Sequence, residues 1–547
     1  MMKSSKYDSL SREQLIEKIQ KLEKERYGLV WEDKEENVAK RCDTELPLLK
    51  EDCKREIVSD PSLPYNIIIE GDNYHSLYAL SFTHKKNIDV IYIDPPYNTG
   101  NKDFIYNDSY VDKTDQFRHS KWLSFMSKRL RLAKNLLSNN GLIFISIDDN
   151  EFAQLKLLCD SVFNEKNFVV DLIWNSRKSV SNDTIISLNH NHTLIYAKNI
   201  DVIQQNKVNY RLRGSKEKFS NPDNDPRGEW TADPFDAPEI RKENLTYVIV
   251  NPNTGKKYLP PKGRHWRTTE DEYKKFLAEG RIVFGKTGKA KPQLKRFYYE
   301  AEKKGIVAKS IWDDVGTTTN GTQELEKILG EKKFNNPKPV SFILKILELA
   351  SFKDSTILDF FAGSGTTGHA VLEMNCRDGG NRKFIMCTNN ENNICTEVTY
   401  PRIKNVIDGY SDVMGIPANV KYFTQTFVPV ITSDNDKREL VNRSTEILCV
   451  AEDCFEKVRT RKKSSDFSVF KSAKKQLAII YDEDSINDCI NYLNEHMVET
   501  ETTIYVFSYD HTYEEEDFVD LKIAFSVKPI PEAIINVYRK ISKMKKK

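Results

Sequence analysis

The sequence predicts an α/β protein built on a doubly wound, Rossmann-like sheet. In two segments of the chain, residues 61–200 and 326–415, apolar runs of strand length alternate with runs of helical periodicity. This alternation is typical of parallel sheets. Each segment contains a strand that leads into a distinctive turn: IDPPYNTG at 93–100 and LDFFAGSGTT at 358–367. Loops at the carboxyl ends of parallel strands are where such folds bind ligands.

Local sequence indicates the elements of the N-terminal segment. Residues 117–138 have the apolar spacing of a helix, and Asn140-Gly141 is expected to end it before the next strand. Near the N-terminus, Ser11 and Gln14 form a capping-box pattern ahead of an apolar stripe, which predicts a docking helix. Five apolar runs have the length and β-branched content of strands: NIIIE at 66–70, NIDVIYI at 87–93, GLIFISI at 141–147, FVVDLIW at 168–174 and HTLIYA at 192–197.

The second segment repeats the pattern after a long interruption. It predicts a helix at 337–351, a strand at 356–359 and a last strand, KFIMCTNN at 383–390, that is expected to end the sheet. The interruption, from about 200 to 330, carries clusters of Pro, Gly, Asn and Asp. Lys and Arg outnumber Asp and Glu over residues 201–310, whereas the rest of the chain is net acidic. The basic surplus is consistent with a solvated face or with a nucleic-acid partner.

Composition excludes several classes of protein. The 547 residues carry a formal net charge of +2, and the nine cysteines include no C-x-x-C pair, which argues against a zinc site and a disulfide framework. We therefore expect no metal and a reducing, cytoplasmic environment. No apolar run approaches the roughly 20 residues that a membrane span needs, so no membrane association is expected.

The glycine-rich turn indicates a nucleoside cofactor. An apolar strand brings Asp359 to its end, Gly363 and Gly365 permit a tight turn, and Thr366-Thr367 begin a helix. The third glycine of the dinucleotide fingerprint is missing, and no Lys follows the second glycine as in a P-loop. A cofactor without a long phosphate chain is expected. S-adenosylmethionine fits, since its ammonium needs an acid and its carboxylate needs N–H donors.

A formal P-loop match lies elsewhere, in GRIVFGKT at 280–287. Gly280 follows a helical run as a C-cap would, and RIVF inside the supposed loop has the pattern of a strand. Pro292 also interrupts the helix that should follow Thr287. We therefore expect no NTPase site here, and no ATP-driven translocase or nuclease function.

The turn DPPY suits chemistry on an exocyclic amino group. Such a nitrogen is a poor nucleophile because its lone pair is delocalised into the base. Hydrogen bonds from its two hydrogens to the Asp94 carboxylate and the Pro95 carbonyl would free that lone pair. Pro96 cannot compete as a donor, and the Tyr97 ring offers a platform on which a base can stack. A base inside a duplex would have to be flipped out. A plain strand-and-turn explains the prolines but not Asp94 and Tyr97.

These residues resemble a known family. D-P-P-Y together with F-x-G-x-G, here Phe361, Gly363 and Gly365, is typical of amino-group DNA methyltransferases, and the order of the two motifs is similar to the circularly permuted β-class. IYIDPPYNTGNKDFIYNDSY, NPDNDPRGEW, FNNPKP and LDFFAGSGTTGHAV resemble the modification (Mod) subunits of Type III restriction-modification systems over residues of about 20 to 410.

The resemblance implies roles for individual residues. It makes Asp94, Pro95, Pro96 and Tyr97 catalytic, and it places Lys338 and Pro339 at the methionine carboxylate, although N-P-K-P is also an ordinary proline-led helix start. Asp72 and Asn73 are expected beside the cofactor adenine, with a helix-capping Asp as the competing explanation. The resemblance also implies an acid that holds the ribose hydroxyls of the cofactor. At that place this sequence has Asn389 and Asn390 first, and Glu391 follows them. The cofactor residues are thus Asp72, Asn73, Lys338, Pro339, Asp359, Phe361, Ala362, Gly363, Ser364, Gly365, Thr366, Thr367 and Glu391.

The resemblance also implies a domain order. The expected regions are an N-terminal helical extension, a catalytic half, a target-recognition region that binds DNA, a cofactor half and an α+β C-terminal domain of unknown role: 1–60, 61–200, 201–325, 326–415 and 416–547. The basic segment falls within the target-recognition region, which favours the nucleic-acid explanation of its charge.

The function expected from these features is methylation of adenine N6 in duplex DNA, with S-adenosylmethionine as methyl donor. Cytosine-N4 methylation uses the same half-sites, although Asp first and Tyr fourth favour adenine. A catalytically silent specificity subunit is the alternative of another class, and two intact half-sites argue against it. The resemblance implies a homodimer, a separate helicase-nuclease (Res-type) restriction subunit and a bacterial, nucleoid-associated location.

Overall fold

The main sheet has ten strands in the computed structural model, which describes residues 10–545 apart from 25–28, 102, 215, 239–242, 286, 464–465, 497–499, 510–512 and 514. From edge to edge the strands are Glu45–Glu51, Asn419–Pro429, Tyr65–Glu70, Lys383–Thr388, Thr356–Asp359, Ile88–Ile93, Leu137–Ile147, Asn191–Ala197, Phe168–Trp174 and Ile311–Trp312. Six consecutive strands, from Asn419–Pro429 to Leu137–Ile147, run parallel. The predicted α/β fold with a mostly parallel sheet is confirmed.

Helices connect the parallel strands, because parallel neighbours need crossover connections. The helices that accompany the main sheet are Asn37–Arg41, Asn73–Thr83, Arg118–Leu136, Phe152–Phe163, Ile200–Gln205, Thr318–Leu329, Val340–Ala350, Thr366–Asp378 and Tyr400–Asp408. The N-terminal helix Arg12–Lys24 also forms, but Ile16 and Ile19 of its apolar stripe are exposed. Ser11 and Gln14 form the predicted capping box, with the Gln14 side chain accepting from Ser11 N and the Ser11 hydroxyl from Gln14 N. Among the described residues no helix is long and apolar enough to cross a membrane.

Two expectations about the sheet are wrong. KFIMCTNN does not end it, because Asn419–Pro429 and Glu45–Glu51 extend it beyond Tyr65–Glu70. Hydropathy does not predict strand Asn419–Pro429, because this strand contains a buried lysine. The ammonium of Lys421 lies 2.6 Å from the Glu51 carboxylate. The helix before residue 137 ends at Leu136, so Asn140-Gly141 lies inside the next strand, at an irregularity in its pairing with Ile88–Ile93.

The C-terminal residues form a second sheet that shares a core with the first. Its strands are Glu456–Arg459, Phe467–Lys471, Gln476–Ile480, Thr502–Phe507 and Phe525–Ile530. The helices around it are Asp434–Asn442, Thr445–Glu452, Ile486–Glu495 and Glu532–Lys545. One buried cluster runs from Tyr78 and Leu80 of the main domain to Ile534 and Tyr538, and the Tyr538 hydroxyl donates to Pro47 O at 2.8 Å. Residues 1–206 and 309–547 thus form one compact unit.

Residues 207–308 form a second compact unit with its own small core. A three-stranded sheet, Ile282–Val283, Gln293–Phe297 and Trp230–Pro234, accompanies the helix Glu270–Ala278. The unit also contains the helix Tyr298–Lys304 and two short strand pairs: Asp236–Pro238 with Arg264–Trp266, and Ile249–Val250 with Lys257–Tyr258. Phe235, Trp266 and Tyr273 pack together at its centre. This unit lies within the expected target-recognition region, whose limits, like the other domain limits, stay a prediction; residues 1–9 of the N-terminal extension lie outside the described residues.

The second unit also contains GRIVFGKT, in which Lys286 lies outside the described residues; the backbone of the described part is not that of a P-loop. Gly280 follows the end of a helix with φ of 65°, as the residue after a helix C-terminus often does. Ile282–Val283 inside the motif is a strand. The next regular element after Thr287 is the strand Gln293–Phe297 and not the helix that a phosphate-binding loop requires.

Candidate active site

The two motifs lie side by side although more than 260 residues separate them. Strand Ile88–Ile93, which ends in D-P-P-Y, pairs in parallel with Thr356–Asp359, which ends in the glycine loop. Parallel neighbours bring their carboxyl ends to the same edge of a sheet. Asp94 and Asp359 are close enough for the charge of Asp94 to act on the Asp359 carboxyl. One site therefore contains both halves.

Hydrogen bonds hold the D-P-P-Y turn in a fixed shape. The Tyr97 hydroxyl donates to Asp94 Oδ1 at 2.8 Å. The indole of Trp122 donates to Pro96 O at 2.7 Å, and the Asn191 amide donates to the Tyr97 hydroxyl at 3.3 Å. Burial, reinforced by the charge of Asp94, raises the pKa of Tyr97, so its hydroxyl stays protonated. The carboxylate and the ring are thus oriented together.

Lys338 reaches the D-P-P-Y motif. Its ammonium donates to Asp94 Oδ2 at 2.5 Å and to the Tyr97 hydroxyl at 3.0 Å, and the residue is only 8% exposed. The resemblance instead placed this lysine at the methionine carboxylate. Pro339 precedes the helix Val340–Ala350, whose first N–H donates to Glu324 Oε2 at 2.9 Å. The proline-led helix start therefore holds Lys338 against Asp94.

The glycine loop has the open backbone that a bound nucleoside needs. Gly363 and Gly365 adopt φ of +47° and +77°, which favour glycine. A Cβ at Gly363 would come within 3.2 Å of the Phe334 ring, and one at Gly365 within 3.3 Å of Thr399. Gly365 N donates to Ala362 O at 2.7 Å, which closes the turn. A side chain at either position would therefore press against Phe334 or Thr399 and would also be strained by the positive φ.

Buried side chains support this loop from behind. The guanidinium of Arg402 donates to the Thr366 hydroxyl at 2.8 Å and to Ser364 Oγ at 3.2 Å. Burial lowers the pKa of Arg402 to about 10, so it remains a cation near neutral pH. Phe361 packs against Phe125, with ring centroids 5.9 Å apart. Ser364 and Thr366 are buried, and their hydroxyls therefore contribute to the support of the loop.

Asp359 is buried at the end of its strand. Its carboxylate accepts from the Thr367 hydroxyl at 2.5 Å and from Phe361 N at 3.0 Å. Burial, with a smaller contribution from Asp94, raises its pKa to about 7, although both hydrogen bonds oppose the rise. The group therefore changes charge near neutral pH. A cationic ligand beside it would favour the ionised form.

The remaining cofactor candidates have structural partners or lie at the surface. Asp72 caps the helix Asn73–Thr83 by accepting from Tyr74 N at 2.7 Å, so the competing explanation of this residue is observed. The Asn73 side chain accepts from Arg129 at 2.5 Å. Glu391 is exposed in the short 3-10 turn that follows strand Lys383–Thr388. The cofactor role of all three stays a prediction.

An open cavity of about 930 Å³ adjoins the D-P-P-Y motif. Tyr97 and Lys338 lie in its wall together with Trp174, His190 and Asn191. Sequence reasoning did not predict Trp122 and Asn191, because neither belongs to a motif and both act on the turn only through the fold. Asn98, directly after the motif, was the one neighbour that proximity in sequence could have indicated.

A cluster on the cavity rim brings three potential metal ligands together. Side-chain atoms of Asp149, His190 and His192 lie within 4.8 Å of one another. His192 already lies between two carboxylates, 2.9 Å from Asp171 and 3.4 Å from Asp149. Burial acts to lower the pKa of His192, but these two hydrogen bonds outweigh it and raise the pKa. Both ring nitrogens of His192 thus already have carboxylate partners within the cluster.

Glu151 supports the D-P-P-Y turn from its buried side. It is fully buried, and its Oε1 accepts from the Asn98 amide at 2.5 Å and lies 2.7 Å from His119 Nδ1. Asn98 follows Tyr97 directly and has a left-handed φ of 57°. Burial raises the pKa of Glu151 to about 7 against the opposing hydrogen bond from Asn98. The turn therefore depends on a carboxyl group that titrates near neutrality.

Glu151→Gln is expected to weaken the pH dependence of stability. The folded pKa of about 7 exceeds the ordinary glutamate pKa of 4.5, so unfolding releases a proton between these values and stability falls as pH rises. The glutamine variant should lack this decrease, which is about 2–3 kcal/mol in the free energy of unfolding. Thermal unfolding at pH 5 and pH 8 measures it, with the exposed Glu165→Gln as control. An equal drop in melting temperature for wild type and Glu151→Gln would contradict the prediction.

Comparison with known proteins decides the family. A family model described as DNA methylase matches residues 88–400, which is more than half of the chain and includes both motifs. The chain belongs to this DNA methylase family. Its relatives include the StyLTI Mod subunit of a Type III restriction-modification enzyme from Salmonella typhimurium, 36% identical over 62% of this methylase and 54% of that protein. The chain thus spans about half the length of this relative.

Two further proteins are similar to this DNA methylase. The Type II methyltransferase M.KpnI of Klebsiella pneumoniae is 34% identical over 60% of this chain and 82% of its own length. Among solved structures, the PvuII DNA methyltransferase, described as cytosine-N4-specific, covers 60% of this chain and 84% of its own at 12% identity, with a TM-score of 0.30.

Proposed function

We propose that this DNA methylase transfers a methyl group from S-adenosylmethionine to the N6 amino group of an adenine flipped out of duplex DNA. The observation that carries the proposal is the side-by-side placement of Asp94-Pro95-Pro96-Tyr97 and the glycine loop on adjacent parallel strands. The names of the relatives, a Type III Mod subunit and a Type II methyltransferase, support a role as the modification subunit of a restriction-modification system.

In this proposal the chain prepares the amino group for attack. Asp94 accepts one hydrogen of the N6 amino group and the Pro95 carbonyl accepts the other, which localises the lone pair on nitrogen. The Pro96 carbonyl already accepts from Trp122, so the turn is fixed before the base arrives. The Tyr97 ring, in the cavity wall, stacks on the base and contributes about 1–3 kcal/mol.

The residues around the glycine loop fit the proposed cofactor. Gly363 and Gly365 give the loop a left-handed, tightly turned backbone, and the buried Asp359 carboxyl suits the ammonium of the methionine moiety. When bound, S-adenosylmethionine supplies an electrophilic methyl group. Residues 361–367 would hold its nucleoside and carboxylate, with Asp72, Asn73 and Glu391 as candidates for its adenine and ribose.

Lys338 occupies the place at Asp94 that is proposed for the substrate amino group. Its ammonium nitrogen donates to Asp94 Oδ2, as the N6 amino group would. A cation at this carboxylate opposes the positive charge that develops on N6 during methylation. Lys338 must therefore leave Asp94 when adenine enters, and the methionine carboxylate is a suitable new partner for it.

The assembly and location expected for a modification subunit belong to the same proposal. The chain would act as a homodimer on double-stranded DNA, in a bacterial cytoplasm and associated with the nucleoid. A separate Res-type subunit would supply helicase and nuclease activity. Mass determination of the complex purified from its native cells would test for both the second copy and the restriction subunit.

Transfer of labelled methyl groups to duplex DNA tests the activity. Purified protein is incubated with S-adenosylmethionine and plasmid DNA, and single-molecule sequencing then locates the modified base. Methylation of adenine at one sequence would support the proposal. Methylation of cytosine would shift it to N4 chemistry, and DNA binding without transfer would indicate a specificity subunit instead.

Exposed lysines of the second unit are proposed to contact DNA phosphates. Lys256, Lys257 and Lys289 are exposed. The Tyr258 hydroxyl donates to Lys289 O at 3.2 Å, so the segment that carries Lys256 and Lys257 lies next to the one that carries Lys289. Among the residues that the structure describes, none of the three has an ion pair, whereas Lys295 pairs with Asp223 and Asp225. They are therefore free to bind anions.

Replacing these three lysines with Gln is expected to weaken DNA binding and to flatten its salt dependence. Each lost phosphate contact lowers the slope of log K against log salt by about 0.9. Binding isotherms at several salt concentrations measure the slope. The control removes three exposed lysines of the C-terminal region: Lys462, Lys463 and Lys474. A slope unchanged from wild type would remove the recognition role from this surface.

A further inference from the structure

The loop that joins strands Phe168–Trp174 and Asn191–Ala197 exposes an unusual amount of apolar surface. Val180 is 72% exposed, Ile185 103%, Ile186 78% and Leu188 63%. Single exposed apolar residues are ordinary, but four within nine residues form a patch that marks an interaction site. Among these four apolar residues the two isoleucines at the tip have the largest exposed fractions.

Hydrogen bonds fix the base of this loop. The Asn189 amide donates to Arg177 O at 2.7 Å and to Ser179 O at 2.9 Å, so one side chain ties the two arms together. Nearer the tip, Ser181 N donates to Ser187 Oγ at 3.0 Å. The tip is thus presented on a closed stem, although its isoleucines have little protein around them.

The loop stands beside the cavity that would receive the base. Arg177, Ser179 and Leu188 line the same cavity as Tyr97 and Lys338. Arg177 and Lys178 are exposed at the start of the loop and give it positive charge. An apolar tip preceded by two cations and adjoining the cavity beside Tyr97 matches duplex DNA, which offers phosphates outside and apolar base faces inside.

We propose that Ile185 and Ile186 enter the base stack of DNA at the position that the target adenine vacates. This inference rests on the proposed function, since it assumes a flipped adenine beside Tyr97. Apolar side chains inserted between base steps offset the unstacking that flipping requires. Arg177 and Lys178 hold the neighbouring phosphates. The loop thus positions the DNA and does not touch the reacting atoms.

The test compares two duplexes that differ only in the cost of flipping. Both carry the site located by sequencing; in one the target adenine faces thymine, and in the other it faces an abasic site. Ile185→Ser/Ile186→Ser should lower kcat/KM about tenfold on the ordinary duplex and less than about twofold on the abasic one, where flipping costs least. With 2-aminopurine at the target position, the fluorescence gain on binding should fall in the same variant.

Controls separate this inference from the proposed function. Ile185→Leu/Ile186→Leu should retain activity, and Val519→Ser, which changes a residue 79% exposed elsewhere, should match wild type. No transfer by wild type would refute the proposed function. If wild type transfers methyl groups but the serine variant loses activity equally on both duplexes, or on neither, the insertion of Ile185 and Ile186 is refuted and the proposed function is not. A shift from dimer to monomer in the serine variant would overturn the insertion too, because the loop would then join two copies.

Discussion

Asp94→Asn is expected to lower kcat for methyl transfer about a thousandfold, the scale of losing one preorganised electrostatic contact in a transition state. The asparagine retains an acceptor oxygen but loses the negative charge that stabilises the developing cation on N6. It also leaves Lys338, only 8% exposed, without its carboxylate. Initial rates with labelled S-adenosylmethionine and saturating DNA measure the effect.

Two controls make the assignment specific. Asp108→Asn removes the same charge from an exposed turn and should leave kcat unchanged. Calorimetric titration of Asp94→Asn with S-adenosylmethionine should give nearly wild-type affinity, because Asp94 belongs to the amino-group half of the site. A variant that retains full transfer activity would exclude Asp94 from catalysis.

The sequence alone was sufficient to predict where both half-sites lie on the fold. Asp94 and Asp359 each come at the end of a short, largely apolar run, and such runs are typical of central strands in a parallel sheet. Carboxyl ends of parallel strands meet at one edge, so residues far apart in the chain could be predicted to share a site. In the structure Ile88–Ile93 and Thr356–Asp359 are neighbouring strands, which confirms this reasoning.

Long side chains account for most of what could not be predicted. The position of a lysine backbone leaves the ammonium several ångströms of freedom, so the proline-led start at Lys338 did not indicate that it reaches Asp94 and Tyr97. Trp122 lies in a helix whose periodicity predicts only burial, and its indole contact with Pro96 O depends on how that helix packs. Local sequence contains no information about such partners.

Buried polar residues hid one element of the fold. Strand Asn419–Pro429 contains Lys421, Thr424 and Gln425, so it lacks the continuous apolar run expected of a parallel strand. Lys421 is buried because Glu51 and Glu56 pair with it, and Gln425 donates to Asp72 O at 2.6 Å. Hydrogen-bond and ion-pair partners from distant segments stabilise these polar side chains inside the fold. The sequence of a single segment does not identify such partners.

Asp359→Asn is expected to weaken S-adenosylmethionine binding about 10- to 100-fold, as loss of a charged hydrogen bond would. Because the pKa of Asp359 is about 7, wild-type affinity should rise between pH 6 and 7.5 as the carboxyl ionises and can pair with the ammonium. The asparagine variant cannot ionise, so its affinity should stay flat over this range. Asp354→Asn, exposed just before the same strand, is the control and should keep the wild-type profile. Calorimetric titrations at several pH values measure both effects, and a pH-dependent affinity that survives in Asp359→Asn would assign the ammonium to another acid.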